Sequence, residues 1–232
     1  MKEKTKEIES FIKKYYKLII IFICLIGTIE IIGDIFEKDI MRKDVIGYHL
    51  VSTYLMSDTA TIVAKFITNF GGVSGIVIIA LIFFILVKKK IFGFLVFLNL
   101  AISGGLNQLL KRIIQRPRPT EYRLINESGY SFPSGHSMVS AAFYGLFIYL
   151  IYKYVKNKYI KYGLITILTL LIISIGISRI YLGVHYTSDV LAGFLISISY
   201  LIIFTSVIND YLDEIKWDLQ KRKVKEINFS LY

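Results

Sequence analysis

Three short stretches carry side chains whose chemistry fits together: Lys111-x6-Arg118-Pro119, Pro133-Ser134-Gly135-His136 and Ser178-Arg179-x5-His185-x3-Asp189. They supply three fixed cations, two histidines and one carboxylate placed to serve a histidine. That inventory suits cleavage of a phosphate ester. Cations hold the phosphoryl oxygens, a nucleophile attacks phosphorus, and an acid protonates the leaving oxygen.

In the first stretch, Arg116-Pro117-Arg118-Pro119 forbids a regular helix and stiffens the loop that holds the guanidinium groups. Arginine presents a planar fork to phosphate oxygens, and Lys111 adds a point charge. Alone, this stretch reads equally well as a basic flank anchoring a membrane helix. In the second, Ser134 suits an N-cap, and the amides that follow at a helix start bind anions. Gly135 allows close approach of backbone to phosphate. His136 stands at the mouth of such a site, although a lone histidine at a helix start is more often structural. In the third, His185 and Asp189 are four apart, so a helical turn puts them on one face. A carboxylate on one imidazole nitrogen fixes the tautomer and frees the other nitrogen to attack. The same spacing serves a surface pair or two metal ligands, but further ligands at metal spacing are not seen. We therefore expect no metal and no cofactor, and activity that persists in EDTA.

These side chains need elements to carry them, and the sequence offers long apolar runs. The chain has 232 residues, is 55% hydrophobic and has a mean hydropathy of +0.59. Crossing the hydrocarbon core takes roughly 20 apolar residues as a helix. Six such spans are expected, at about 15–33, 70–87, 91–110, 137–152, 162–178 and 190–208. The last five contain no charged residue, and none shows the alternation of a strand. The fold class expected is all-α: an integral membrane six-helix bundle forming one domain over 1–232. Between the first two spans, Val45, Ile46, Leu50, Val51, Tyr54 and Leu55 recur at near-helical spacing. This predicts an amphipathic helix in the membrane interface. Gly71 and Gly75 have the spacing of close helix packing. Trp217 is expected to anchor the polar tail, 209–232, at the interface.

Charge distribution argues for membrane rather than nucleic acid. The formal net charge is +11, but the basic residues flank apolar runs instead of forming one face. The six lysines among the first 17 residues precede an apolar run without a small-x-small cleavage site, so an uncleaved first helix is expected. Cys24 stands alone within that run, which excludes a disulfide framework. With the N-terminus cytoplasmic, 18 basic residues fall inside and 10 outside. This favours cytoplasmic termini in the cell membrane and places all three motifs at the outer face.

With these residues in view, the chain resembles the type 2 phosphatidic acid phosphatase superfamily, particularly its bacterial phosphatidylglycerophosphatase B and undecaprenyl-diphosphatase type. The resemblance covers the six spans, the segment ending Ile67-Thr68-x-x-Gly71-Gly72 and all three motifs. It implies that His185 is the nucleophile and becomes a phosphohistidine. Asp189 would orient it, and His136 would protonate the leaving oxygen and then assist water. Lys111, Arg118, Arg179, Ser134 and the Gly135 amide would cradle the phosphoryl oxygens. A lipid phosphate or diphosphate in a bilayer is the implied partner, with undecaprenyl diphosphate preferred and phosphatidylglycerophosphate or phosphatidate as the alternative. A lipid transporter is the competing class, but it calls for charges inside the spans. Arg112, Arg116 and Arg123 read as solvated or headgroup-facing charges, or contacts to a second phosphate. Glu121, Tyr122, Asn126 and Glu127 are candidates for substrate choice, and His49 reads as structural.

Overall fold

The computed structural model describes the backbone of residues 2–37 and 41–229, and the side chains of 14–37, 41–209 and 211. The described residues form eight helices: α1 (Lys2–Glu37), α2 (Arg42–Leu55), α3 (Asp58–Asn69), α4 (Val73–Leu86), α5 (Lys90–Ile114), α6 (Gly135–Tyr154), α7 (Lys158–Tyr181) and α8 (Thr187–Phe229). No strand occurs among them. Five segments are each long and apolar enough to cross a membrane: Lys14–Glu37, Lys90–Ile114, Gly135–Tyr154, Lys158–Tyr181 and Thr187–Asn209. The expected Trp217 anchor lies outside the described side chains.

The second expected span differs from expectation. A straight helix over 70–87 is replaced by α3 and α4, bent by 52° across Phe70–Gly72. Alone, α4 has 14 residues, about 21 Å of helix, short of the roughly 30 Å hydrocarbon core. The Gly71-Gly72 pair breaks the helix, and the Tyr144 hydroxyl donates to the Phe70 carbonyl at 2.8 Å. That bond satisfies a backbone acceptor at the break, as a membrane interior requires. Gly75 belongs to the same bend, because a Cβ there would lie 2.0 Å from the Asn69 carbonyl oxygen. Its spacing from Gly71 therefore serves a bend.

The amphipathic segment is two helices rather than one. Ser57 separates them, capping α3 by accepting from the Ala60 N–H at 3.1 Å. Of the apolar stripe expected on α2, Val45, Ile46, Leu50, Tyr54 and Leu55 are exposed, as an interfacial helix requires. The opposite face, with Asp44, Gly47, Tyr48 and Val51, turns to the protein. The Tyr181 hydroxyl fastens the α2–α3 joint to α7, donating to the Ser57 carbonyl at 3.0 Å.

At the centre lies α6, packed on α5, α7 and α8. Phe143 and Phe147 meet edge to face at 5.0 Å, and Phe83 of α4 meets Phe147 at 4.8 Å. Buried amides link α5 to this layer: Asn99 donates to the Ala142 carbonyl at 3.1 Å and Asn107 to the Pro133 carbonyl at 3.2 Å. At the other end of the bundle, Lys17 of α1 donates to Ser206 of α8 at 3.0 Å.

Candidate active site

Four helix ends meet at one end of the bundle, and the three sequence motifs occupy them. Gln115 ends α5 by adopting a left-handed conformation just before Arg116-Pro117. Lys111 therefore sits in the last helical turn, one turn earlier than a loop position. Ser134 caps α6, accepting from the Ser137 N–H at 3.4 Å and the Ser137 hydroxyl at 2.9 Å. Gly183 turns the chain after α7 with φ +67°, and a Cβ there would lie 2.4 Å from the Tyr122 carbonyl oxygen. This turn aims His185 back into the bundle. A cavity of about 640 Å³ lies among these ends. Its polar wall holds Lys111, Arg118, Glu127, Gly135, His136 and His185. Its other wall is apolar, with Val73, Ile76, Val77, Leu100 and Val139.

The partners of His185 fix its tautomer. Arg118 Nη1 lies 3.0 Å from His185 Nε2, and a guanidinium can only donate. Nε2 therefore carries the lone pair. Nδ1 carries the proton and donates to Asp189 Oδ2 at 3.3 Å. Burial pushes the imidazole down to about 4, partly opposed by the hydrogen bond and charge of Asp189. The ring is thus neutral at pH 7, and its unprotonated nitrogen is held by Arg118, which must release that lone pair before the ring can act as a nucleophile.

The link to Asp189 is not the helical one expected. His185 precedes α8 and Asp189 lies in its first turn. Asp189 Oδ2 instead closes the turn by accepting the Tyr186 N–H at 3.0 Å. Its other oxygen accepts from Arg116 Nη1 at 2.8 Å. Arg116 also donates to Ser188 Oγ at 2.8 Å and to Asp44 Oδ2 at 2.7 Å, and its guanidinium stacks over Tyr186 at 4.0 Å. Asp44 Oδ1 accepts the Ser188 N–H at 2.8 Å. The sequence reading put Arg116 at solvent or a headgroup. Its side chain is 1% exposed, because two carboxylates from different helices enclose it. Removing Arg116 would leave both buried carboxylates without their cation, at a cost of roughly 3–5 kcal/mol.

The other cations are also engaged. Arg179 is buried and does not line the cavity; it donates to Thr68 Oγ1 at 2.7 Å and to Glu127 Oε1 at 2.5 Å. Glu127 lines the cavity and lies 4.0 Å from Arg118 as well. Burial alone would raise the Glu127 carboxyl, but the hydrogen bond and charge of Arg179 outweigh it and hold it below the usual range. Lys111 donates to the Tyr130 carbonyl at 2.5 Å. Arg118 donates to the carbonyls of Ser128, Gly129 and Val184, each at 3.0 Å. These contacts hold both cations at set positions on the wall.

Two expected members of the phosphate cradle play a local part. Ser134 is fully buried and occupied in capping, and its N–H donates to the Asp189 carbonyl at 3.1 Å. The space beside Gly135 is taken by Asn107, whose Oδ1 would lie 3.1 Å from a Cβ there. Gly135 thus serves the packing of α5 on α6 while still lining the cavity. His136 rests against Gly71 and Gly72 at the helix break.

Among the remaining candidates, Arg112 lines the cavity, whereas Arg123 donates to the Pro119 carbonyl. Glu121 and Tyr122 line a second cavity of about 210 Å³, where Tyr122 stacks on Tyr48 at 5.4 Å. Asn126 is exposed. His49 pairs with Thr53 at 3.2 Å on the exposed side of α2. Sequence reasoning missed Asp44 altogether. Its signal was a lone acid between Met41 and Val45, on the same helical face as Gly47, Tyr48 and Val51.

The chain is similar to several known proteins. The chain is 38% identical over 141 residues to phosphatidylglycerophosphatase B of Bacillus subtilis, covering 58% of this chain and 64% of that protein. It is 35% identical over 111 residues to the lipid A 1-phosphatase of Rhizobium johnstonii, covering 44% and 41%. The chain thus spans less than two thirds of these relatives' own lengths. Among solved structures, the transmembrane PAP2 type phosphatidylglycerolphosphate phosphatase from Bacillus subtilis superposes with a TM-score of 0.72 at 29% identity. That superposition covers 84% of this chain and 97% of the other. The apolar helices and these neighbours make the chain a multi-pass membrane protein. A family description matches residues 92–212, more than half of the chain and all three motifs, and by that match the chain belongs to the PAP2 superfamily.

Proposed function

We propose that this protein releases phosphate from a membrane lipid phosphate, with His185 as the attacking group. The observation carrying the reading is His185 on the cavity wall, with Nδ1 held by Asp189 and Nε2 turned to Arg118, a cation that a bound phosphate would draw onto its own oxygens. In this reading Nε2 attacks phosphorus and the ester oxygen leaves, taking a proton from His136 in its imidazolium form, which the negative charge of the bound phosphate favours. The phosphohistidine is then attacked by water, which yields its proton to His136. Lys111 and Arg118 hold the phosphoryl oxygens, and Arg179 joins them as Glu127 gives way. Negative charge on those oxygens in the transition state meets donors already in place, the main source of acceleration in phosphoryl transfer. The apolar wall from Val73 to Val139 suits a lipid tail, so the cavity matches an amphiphile with its phosphate at one end.

For the substrate we favour a monoester of the phosphatidylglycerophosphate kind over the undecaprenyl diphosphate preferred from sequence. Arg116, one cation suited to a second phosphate, is enclosed by Asp44 and Asp189. The relative of 38% identity is named for the monoester. Arg112 on the cavity wall keeps the diphosphate as a second reading, since it is free to meet a distal phosphate there. Cytoplasmic termini and an outward-facing site remain part of the proposal, carried by the lysine and arginine distribution. Phosphate release from phosphatidylglycerophosphate, phosphatidate and undecaprenyl diphosphate in detergent micelles tests the order. Faster turnover of the monoesters is expected; a preference for the diphosphate restores the sequence-based choice.

A further inference from the structure

We infer that Asp44 and Arg116 are positioning residues that set the charge and orientation of the His185–Asp189 pair, linking the interfacial helix α2 to the site. The inference rests on His185 being the reacting group.

The geometry is a chain of alternating charge: Asp44, Arg116, Asp189, His185. Its links measure 2.7, 2.8 and 3.3 Å, and Asp44, Arg116, Asp189 and His185 are each no more than 3% exposed. Every link has a second restraint. Asp44 holds the Ser188 N–H, Arg116 holds the Ser188 hydroxyl and stacks on Tyr186, and Asp189 holds the Tyr186 N–H. Ser188 and Tyr186 flank the start of α8, so the chain also fixes the turn carrying His185. An ion pair between Arg116 and Asp189 alone would present no net charge to the imidazole. Asp44 restores one negative charge to the three-residue chain. That charge favours the imidazolium, and equally the cationic phosphohistidine formed by attack at Nε2.

The other charged groups facing His185 lie elsewhere. Arg118 and Glu127 come from the loop after α5, Arg179 from α7, His136 from α6 and Lys111 from the last turn of α5. Substitutions at Asp44 and Arg116 leave all of these in place. Opposite substitutions in the chain must then move His185 in opposite directions.

The test is titration of the three histidines by NMR in full-length, 13C-histidine-labelled protein in detergent, with His185 assigned by His185→Gln. Asp44→Asn takes the chain from one negative charge to none, and the His185 midpoint should fall by about 0.5–1 pH unit. Arg116→Gln takes it to two, and the midpoint should rise by a similar amount. Asp44→Asn/Arg116→Gln returns it to one, with the midpoint close to wild type. The double variant removes one of the two buried carboxylates that Arg116→Gln leaves without a cation, so it gives a result even where Arg116→Gln is too unstable to titrate. An unmoved midpoint in Asp44→Asn, or a double variant shifted as far as Asp44→Asn, overturns the inference. Phosphate release is followed on the same samples with dioctanoyl phosphatidate. Asp44→Asn should lower kcat at least tenfold while KM changes less than threefold. A wild-type protein that titrates as stated but releases no phosphate from any lipid fails the functional reading and leaves the charge coupling standing.

Discussion

Arg116 reaches Asp189 at 2.8 Å with both side chains sealed from solvent. The residue four places from His185 is therefore held from behind by a cation in the first motif. Residues of two motifs, 73 apart in sequence, are joined at this bond, and Asp44 brings a third segment to it. The arrangement explains how the turn carrying His185 keeps a defined shape outside any helix.

The state of His185 gives a pH prediction. Its folded value is depressed to about 4, so the neutral ring persists from pH 7 down to that point. Activity limited by this group should fall as pH drops through about 4 rather than through 6.5. Stability follows the same sign. The unfolded chain binds a proton on this ring near pH 6.5 and the folded one does not, so folding weakens as pH falls from about 6.5 to 4. Up to about 3 kcal/mol is involved. Thermal melts of wild type and His185→Gln in that window check it. The variant should show a shallower acid slope, and parallel slopes would contradict the assignment.

His136 should matter unequally between substrates. A monoester leaves as a poor alkoxide and needs its proton, whereas a diphosphate leaves as phosphate. His136→Ala should therefore slow phosphatidate hydrolysis by about 10²–10⁴-fold and polyprenyl-diphosphate hydrolysis much less. Initial rates on both lipids decide it. Equal losses count against His136 as the acid.

Glu127 sits on Arg179 at 2.5 Å and near Arg118 at 4.0 Å, so under the proposed function it would compete with an incoming phosphate for both cations. Glu127→Gln removes the competing charge and should tighten inhibition by inorganic phosphate roughly 3- to 10-fold. The inhibition constant at pH 7 and fixed ionic strength is the readout. Weaker inhibition would mean that Glu127 supports the site by holding Arg179 in place.

Gly47 tests the docking of α2. A Cβ there would lie 2.1 Å from Thr187 Oγ1 and 2.8 Å from its Cβ, so a rotamer change cannot relieve the contact. Gly47→Ala should cost about 1–3 kcal/mol and lower kcat by displacing Asp44. Gly33→Ala is the control, because a Cβ there meets nothing within 4 Å. Melting and turnover of both variants decide it; equal behaviour would show that α2 shifts without consequence.

The apolar runs already revealed the helices, because a bilayer needs long uncharged segments and leaves little else to fit. The motifs likewise placed His136, His185 and Lys111 at helix ends, and the structure brings those ends to one cavity. Three features were not legible. The bend at Gly71-Gly72 is invisible to hydropathy, since glycine interrupts geometry without interrupting an apolar run. Arg116 looked like one more basic flank, because burial of a cation depends on partners at Asp44 and Asp189 that sequence order does not connect. Glu127 lay in a polar loop where any acid is ordinary, and its position against Arg179 comes from tertiary placement alone.

The central claim is that His185 carries the phosphoryl group. Rapid acid-free quenching of the protein with terminally 32P-labelled phosphatidylglycerophosphate, followed by peptide mapping, reads this directly. Acid-labile, base-stable label on His185 in wild type, absent in His185→Gln, is the predicted result. Label that survives in His185→Gln, or that maps to His136 or His49, would contradict it.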